Sequence, residues 1–414
     1  MSELSDRSFA SDGLGPARRH VVLLSLTASF SLGQVASTIY VPSIPAIARE
    51  LHTTVAHVQF TFVGYLLAYA VSMLVLGPLS DSIGRRRTLL WGLGLSMASS
   101  LACAAAPTVA VLIAARVLQG VGACAGMVVG RALTREIWGA EASAQVIAGR
   151  SMAATLMQAF APVLGGYVQA WFGWRMNFIV VAALAGLAIA LVILAVPAAA
   201  ATARTKAVGV FDGYRRLITM PQFIGYALAG AGAHAGFHIF AAGAPAVLIG
   251  TFGVTPEQYG YYASLPPLGF VVGSFVAKRL TARLGINSVI ALGTCVLIPA
   301  GLTMVMLALF KVAGPMVVVG PMMFVCCGSG LITPNAAAGS LGVNPHIVGA
   351  ASGLGSFIQM TGAAAATAML SLGSSGNPLA LAVVIALAGL FCVTAFGGLL
   401  QAQRIAAAEA RAPV

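Results

Sequence analysis

The sequence predicts an all-α, polytopic membrane protein with twelve transmembrane helices arranged in two six-helix halves. Of its 414 residues, 59% are apolar and only 8% are charged, whereas soluble domains carry about 25% charged residues. The apolar residues also gather in runs of about 20 or more, the length needed to cross a hydrocarbon core. A faint internal repeat then divides the chain in two.

Twelve apolar runs follow one another along the chain. We expect spans at 20–41, 57–79, 88–107, 109–130, 145–170, 175–197, 222–250, 257–277, 286–310, 312–337, 346–372 and 378–400. The run after Arg18 and Arg19 is too long for the apolar region of a secretory signal, so it is interpreted as the first span. The expected organisation is an N-tail (1–19), an N-terminal half (20–197), a basic cytoplasmic linker (198–221), a C-terminal half (222–400) and a C-tail (401–414).

The basic residues predict the orientation in the membrane. With the N-terminus inside, most of the 22 Lys and Arg residues fall in or beside cytoplasmic loops and tails, where membrane proteins concentrate them. We therefore expect both termini to be cytoplasmic. The net charge of +12 is explained by this topology, so it does not indicate a nucleic-acid partner.

The internal repeat supports two halves of like orientation. A shift of 201 positions aligns Thr54 with Thr255 and Gln158 with Gln359. Two six-helix halves are a common plan of secondary transporters, which bind their substrate near the midplane between the halves.

The sharpest motif is GPLSDSIGRRR, at 77–87 between spans two and three. Gly77 and Gly84 permit a tight turn, Asp81 is an anion near a helix end, and Arg85 and Arg86 favour the cytoplasmic side. The motif resembles the G-x-L-x-D-x-x-G-R-R/K loop of the major facilitator superfamily. That resemblance implies that Asp81 and Arg85 hold the two halves together on the cytoplasmic side and set the inward/outward equilibrium. A solvated basic turn is the alternative.

Span four contains RVLQGVGACAG, in which Arg116 lies inside the predicted membrane. A buried arginine there costs at least ~2.5–3.5 kcal/mol, so it is expected to face a partner or a watery cavity. The stretch resembles the superfamily's R-x-x-Q-G-x-G motif, whose Arg is associated with proton coupling. Because a guanidinium does not release its proton, Arg116 would tune a neighbour or bind an anion. The alternative is an Arg that snorkels to the outer interface.

Span five contains QAFAPVLGG. Pro162 is expected to kink the helix, and Gly165 and Gly166 to let another helix approach closely. The stretch resembles the antiporter signature G-P-x-x-G-G, although Ala161 stands where the first Gly is usual. The resemblance implies antiport.

Longer stretches narrow the resemblance to one group. The segment 40–87, GLITPNAAAGSL at 330–341 and GAASGLGSFIQMTGAA at 349–364 resemble the Bcr/CflA group of bicyclomycin and chloramphenicol exporters. The resemblance implies drug/proton antiport across a bacterial inner membrane, with a proton gradient as energy source and no cofactor. We expect a multi-pass monomer in the lipid bilayer.

One departure from that group has consequences for the chemistry. Its first helix usually reads D-x-Y-L-P-x-x-P, but Thr38 occupies the position of the acid, and all ten acidic residues fall in tails, loops or helix ends. We therefore expect neutral, zwitterionic or anionic substrates. His234 and His238, spaced i, i+4 in span seven, are the best proton carriers, because histidine titrates near neutral pH. Hydrogen bonding between helices is the alternative role, and Glu136 is a weaker carrier.

Polar and aromatic residues of the spans are the candidates for the substrate cavity, because polar side chains avoid lipid. Each amide could instead hold helices together. The candidates are Gln34, Thr38, Tyr40, Tyr65, Tyr69, Arg116, Gln158, Phe237, Asn335 and Gln359.

The predicted function is export of small, drug-like organic compounds by alternating access, coupled to proton antiport. The alternative is an importer or facilitator of an organic anion or metabolite, with Arg116 as the anion ligand. The spans hold no nucleophile–base set or cluster of metal ligands, so neither an enzyme nor a metal site is expected. The sequence lacks a P-loop, which argues against direct ATP coupling.

Overall fold

The computed structural model describes residues 16–196, 210–344, 347–373 and 376–409, and these residues are helical apart from short connections. The long helices in this part of the chain are α1 (Pro16–Thr38), α2 (Val55–Ile83), α3 (Arg85–Ala104), α4 (Val109–Gly139), α5 (140–172), α6 (Trp174–Ala195), α7 (Pro221–Pro245), α8 (Pro256–Leu284), α9 (Ile286–Leu309), α10 (Met316–Gly342), α11 (Val348–Leu372) and α12 (Pro378–Glu409). Within these described ranges, eight segments are long and apolar enough to span a membrane by length and composition. The all-α, twelve-helix prediction is confirmed.

Helices α4 and α5 correct one boundary of the sequence prediction. The predicted spans 109–130 and 145–170 left a loop between them, but the helix is continuous from Val109 to Phe172 except at Gly139, where φ is 74°. A positive φ is accessible to Gly at no steric cost, so the chain turns there without a loop. Arg131 therefore lies within α4.

The first span also ends earlier than predicted. Helix α1 ends at Thr38, a 3₁₀ turn follows at Val41–Ser43, and a short helix occupies Ile44–Glu50. Pro42 and Pro45 stand near the first positions of these two short elements, where proline's missing N–H costs no hydrogen bond. The prolines end the first helix and start the next elements.

The predicted linker contains a helix of its own. Val210–Ile218 lies inside the stretch 198–221, and its Leu217 is buried with Phe223 of α7 and Leu354 of α11. This short helix therefore belongs with the C-terminal half. Residues 197–209 of the predicted linker lie outside the described residues.

The two halves repeat the same local structure. Thr54 caps α2 by accepting a hydrogen bond from the His57 backbone N–H, and Thr255 caps α8 in the same way from Gln258. Such caps satisfy an N–H that has no partner within the helix. The equivalence inferred from the sequence shift is thus present at the start of the second helix in each half.

The two ends of the bundle differ in how the halves meet. We call the end where α1 begins and α12 ends the terminal face, and the other end the opposite face. Helix α5 packs against α8, and α2 packs against α11. Near the opposite face, Gln59 of α2 donates to the Ala242 carbonyl of α7 (3.1 Å), and the Tyr167 and Tyr261 hydroxyls of α5 and α8 lie 2.6 Å apart. These contacts join the halves at the opposite face.

Gly165 allows the closest helix approach in the N-terminal half and generates a prediction. A Cβ at Gly165 would lie 1.7 Å from the Ile39 carbonyl oxygen, whereas a Cβ at Gly149, in the same helix, would meet nothing within 4 Å. We expect Gly165→Ala to lower stability by roughly 1–3 kcal/mol through overpacking. Gly149→Ala should be neutral or stabilising, because alanine is the better helix former.

The measurement is the thermal unfolding midpoint of both purified variants in the same detergent. Equal midpoints for Gly165→Ala and Gly149→Ala would show that this approach does not limit packing.

Candidate substrate cavity

A cavity of about 510 Å³ lies between the two halves, which is the size of a small-molecule site. Its wall is drawn from α1, α2, α4 and α5 of one half and from α7, α8, α10 and α11 of the other. Bulky apolar side chains supply much of the surface: Phe30, Met73, Met127, Phe237, Phe270 and Met360. Both halves therefore contact anything bound there.

The cavity occupies the terminal-face side of the bundle. Its wall runs from the middle of the bundle, at Gln34, His234 and His238, to the early turns of α5 and α11 and the late turns of α4 and α10. Those turns lie nearest the terminal face, because α5 and α11 begin there and α4 and α10 end there. The cavity thus extends away from the Gln59–Ala242 and Tyr167–Tyr261 contacts that join the halves at the opposite face.

Three glutamines line this wall, and their side-chain amides are available to hydrogen-bond a ligand. Gln34 (α1), Gln158 (α5) and Gln359 (α11) face the cavity, and within the described residues their amides make no hydrogen bond to protein. In addition, the His234 Nε2 and the Thr333 hydroxyl are buried without a partner there. Such groups are costly unless something bonds them, so the wall offers donors and acceptors to a ligand.

The histidine pair lies on the same wall. The His234 and His238 ring centroids are 4.7 Å apart, and the His238 ring lies 6.1 Å from that of Phe62 on α2. His238 is only 4% exposed. The pair therefore lies where α7 of one half contacts α2 of the other.

Six residues proposed from the sequence for the cavity do not line it, and that expectation is corrected. They are Thr38, Tyr40, Tyr65, Tyr69, Arg116 and Asn335. All six are buried between helices and contact protein groups, although the Nε and one terminal nitrogen of Arg116 have no hydrogen-bond partner among the described residues. The Tyr65 hydroxyl donates to the Gly33 carbonyl (2.7 Å), and Asn335 accepts from Thr281 (2.8 Å).

Arg116 is fully buried and does not reach the cavity, which corrects its proposed role as a substrate ligand. Its guanidinium donates to the Ala36 carbonyl of α1 (2.9 Å) and to Gln119. The same group lies 4.4 Å from the Tyr40 ring centroid and 4.3 Å from that of Tyr65. Aromatic faces attract a desolvated cation, so Arg116 holds α1, α2 and α4 together without an acid.

The loop motif between α2 and α3 makes its contacts inside one half. Arg85 pairs with Asp81 and with Glu136 at the end of α4, both at 3.3 Å. Arg86 donates to the Ile193 carbonyl of α6 (3.1 Å). The expected link from Asp81 and Arg85 to the other half is therefore not formed in this conformation, in which the halves separate around the cavity. Gly84, whose φ is 98°, makes the turn between α2 and α3, whereas Gly77 lies inside α2, which continues to Ile83 and corrects its expected place in the turn.

The span-five motif lies at the contact between the halves. A Cβ at Gly166 would lie 2.3 Å from the Pro256 carbonyl oxygen of α8, and one at Gly260 would lie 2.8 Å from the Pro162 carbonyl oxygen. The absence of these side chains is what lets α5 and α8 touch.

Sequence reasoning missed Arg131, the one charged side chain among the described residues that line the cavity. Counting apolar runs ends span four at 130 and so leaves Arg131 in the loop that follows it. Two signals could have found it. Arg131 follows Met127 by one helical turn, and no Gly or Pro interrupts the helical pattern between Arg131 and Gly139.

The different surroundings of Arg116 and Arg131 generate a prediction about stability. Arg116→Ala removes a cation held by a carbonyl, an amide and two rings, so it should lower stability by about 2 kcal/mol or more. Arg131→Ala should lower it much less, because the Arg131 guanidinium makes no such bonds within the described residues. Thermal unfolding of both purified variants is the measurement, and the reverse order would contradict the account.

Comparison with known proteins agrees with this geometry. The chain is 28% identical over 377 residues to multidrug resistance protein D of Escherichia coli, covering 90% of this chain and 94% of that protein. It is 25% identical to a bicyclomycin resistance protein homolog of Haemophilus influenzae (76% and 80% covered) and 28% identical to a chloramphenicol resistance protein of Pseudomonas aeruginosa (77% and 76% covered). The resemblance drawn from the motifs is thereby confirmed.

A solved structure shows the same fold. The D-xylose-proton symporter superposes with a TM-score of 0.75 at 14% identity, covering 90% of this chain and 97% of that one. The sequence pattern described as Major Facilitator Superfamily matches residues 26–367. The chain is therefore a multi-pass membrane transporter, rather than an enzyme, and it belongs to the Major Facilitator Superfamily.

Proposed function

We propose that this protein exports small, drug-like organic compounds from a bacterial cytoplasm by alternating access, coupled to proton antiport. The observation that carries the proposal is the cavity between the halves, whose described wall combines bulky apolar side chains, uncommitted amides and no acid. Relatives of similar length that are named as drug-resistance proteins support export. Because the wall lacks a carboxylate, the substrates are neutral, zwitterionic or anionic.

The proposal includes an orientation and a location. The terminal face is cytoplasmic, so both termini are inside and the cavity is open to the cytoplasm. The protein acts as a monomer in the bacterial inner membrane. The positive-inside rule supports this orientation, because Arg85 and Arg86 and the basic short helix Val210–Ile218 all lie at that face.

Alternating access follows from the contacts. The halves 20–197 and 222–400 rock against each other, and the α5–α8 and α2–α7 contacts open when the cavity closes to the cytoplasm. The Asp81–Arg85–Glu136 cluster, which lies at the terminal face of the N-terminal half, would then contact the C-terminal half. Pro162, Gly165 and Gly166 would form part of the external closure.

Proton coupling is assigned to His234 and His238. They face the cavity and lie against α2 of the other half, so charging them changes both the substrate site and a contact that must open. Arg116 contributes indirectly, by holding the helices of the N-terminal half. Glu136 is the weaker candidate, since Arg85 already pairs with it.

Uptake or facilitated passage of an organic anion is the second candidate function. Arg131 favours it, since it gives the cavity wall a cation. The direction of substrate movement in proteoliposomes under an imposed pH gradient separates this candidate from export.

The absence of an acid from the described cavity wall predicts which substrate charges are transported. Expression should raise resistance to neutral phenicol-like and anionic compounds and leave sensitivity to lipophilic cations unchanged, because the described cavity wall offers a cation no carboxylate and Arg131 on that wall repels it. A drug-susceptibility panel with and without expression is the measurement. Robust ethidium efflux that depends on this protein would contradict the expectation.

A separate prediction concerns the coupling of transport to protons. His234→Gln together with His238→Gln should abolish the pH dependence of transport, because glutamine hydrogen-bonds but does not titrate. His57→Gln is the control, since His57 is exposed at the opposite face. The measurement is initial transport rate against pH in proteoliposomes, and an unchanged profile in the double variant would remove the pair from the coupling role.

A further inference from the structure

We infer that Arg131 forms an anion-binding subsite in the cavity and that the transported compounds include organic anions with an apolar body. This inference rests on the proposed function, because it names the substrate class of that same cavity. Among the described residues that line the cavity wall, Arg131 has the one charged side chain.

Arg131 is free to bind a ligand. Within the part of the chain that the structure describes, it forms no ion pair and no hydrogen bond through its side chain. It lies eight residues before the end of α4 at Gly139, so it is about 12 Å inside the helix end. A guanidinium at that depth cannot be treated as a solvated loop charge.

A second cation reinforces the positive potential at this point. Arg150 of α5 is buried and donates to the Gly130 carbonyl (2.9 Å) and the Leu26 carbonyl (2.8 Å). Gly130 directly precedes Arg131, and the charges of the Arg131 and Arg150 guanidinium groups interact. Arg150 is committed to carbonyls, and Arg131 is the one left to take an anion.

The surroundings of Arg131 suit a carboxylate or sulfonate attached to an apolar body. A guanidinium binds such groups through two parallel hydrogen bonds. Ser151 and Gln158 of α5 add polar groups from the same half, and Phe30 and Met127 of that half supply apolar surface to the same cavity wall. The site therefore fits an amphipathic organic anion better than an inorganic one.

Two probes that share an anilinonaphthalene skeleton test the inference. 8-Anilinonaphthalene-1-sulfonate carries a sulfonate, and N-phenyl-1-naphthylamine lacks it. Binding to the purified protein in nanodiscs is measured by fluorescence, with empty nanodiscs subtracted. We expect the sulfonate to bind saturably and more tightly than the neutral probe. Arg131→Gln should weaken sulfonate binding at least tenfold, change neutral-probe binding less than twofold, and be partly rescued by Arg131→Lys.

Arg135→Gln is the matched control, because Arg135 lies one turn further along α4 and is exposed. It should leave both affinities unchanged. Sulfonate binding that stays within twofold in Arg131→Gln, or an equal loss for both probes, would overturn the inference. If Arg131→Gln does not fold, equal affinity of the wild-type protein for the two probes overturns it, and tighter sulfonate binding that weakens with salt supports it.

This binding assay separates the inference from the proposed function. Sulfonate binding that depends on Arg131, without any transport, would uphold the subsite and reject the exporter. Transport of neutral drugs by a protein that does not bind the sulfonate would uphold the exporter and reject the anion-binding subsite.

Discussion

Three cations lie inside this bundle without an acid to neutralise them, and the rest of the structure depends on how each is accommodated. Arg116, Arg131 and Arg150 form no ion pair within the described residues. A buried charge is tolerated only when the protein supplies other partners. Two of the three find them in backbone carbonyls and aromatic rings, and the third lies on the cavity wall.

The two arginines that donate to backbone carbonyls explain how the N-terminal half is held together. Arg116 connects α1, α2 and α4, and Arg150 connects α1, α4 and α5. The C-terminal half uses neutral polar groups instead: Tyr226 donates to Asn287, and Gln403 donates to Tyr226. The halves are thus alike in fold and different in charge. Fixed positive charge lies on one side of the cavity, and the titratable histidines lie on the other.

The sequence predicted the fold class and the family because long apolar runs and the loop motif are local features. It also named the three glutamines and two histidines that the structure places on the cavity wall. Tyr40, Tyr65 and Arg116 could not be assigned correctly, since spacing shows which residues share a helix face but not which neighbour that face meets. Arg131 was missed for a different reason. Counting apolar residues ends a span at its first charge, whereas the helix continues as long as its hydrogen bonds do.

Arg131, the one charged side chain on the described cavity wall, defines the polar end of the proposed substrate site. The most direct measurement is a cryo-electron microscopy structure of the protein with bound 8-anilinonaphthalene-1-sulfonate. The account predicts density for the sulfonate within hydrogen-bonding distance of the Arg131 guanidinium, with the rings against Phe30 and Met127. Density for the sulfonate beside Arg116, or a bound probe whose sulfonate faces away from Arg131, would contradict it.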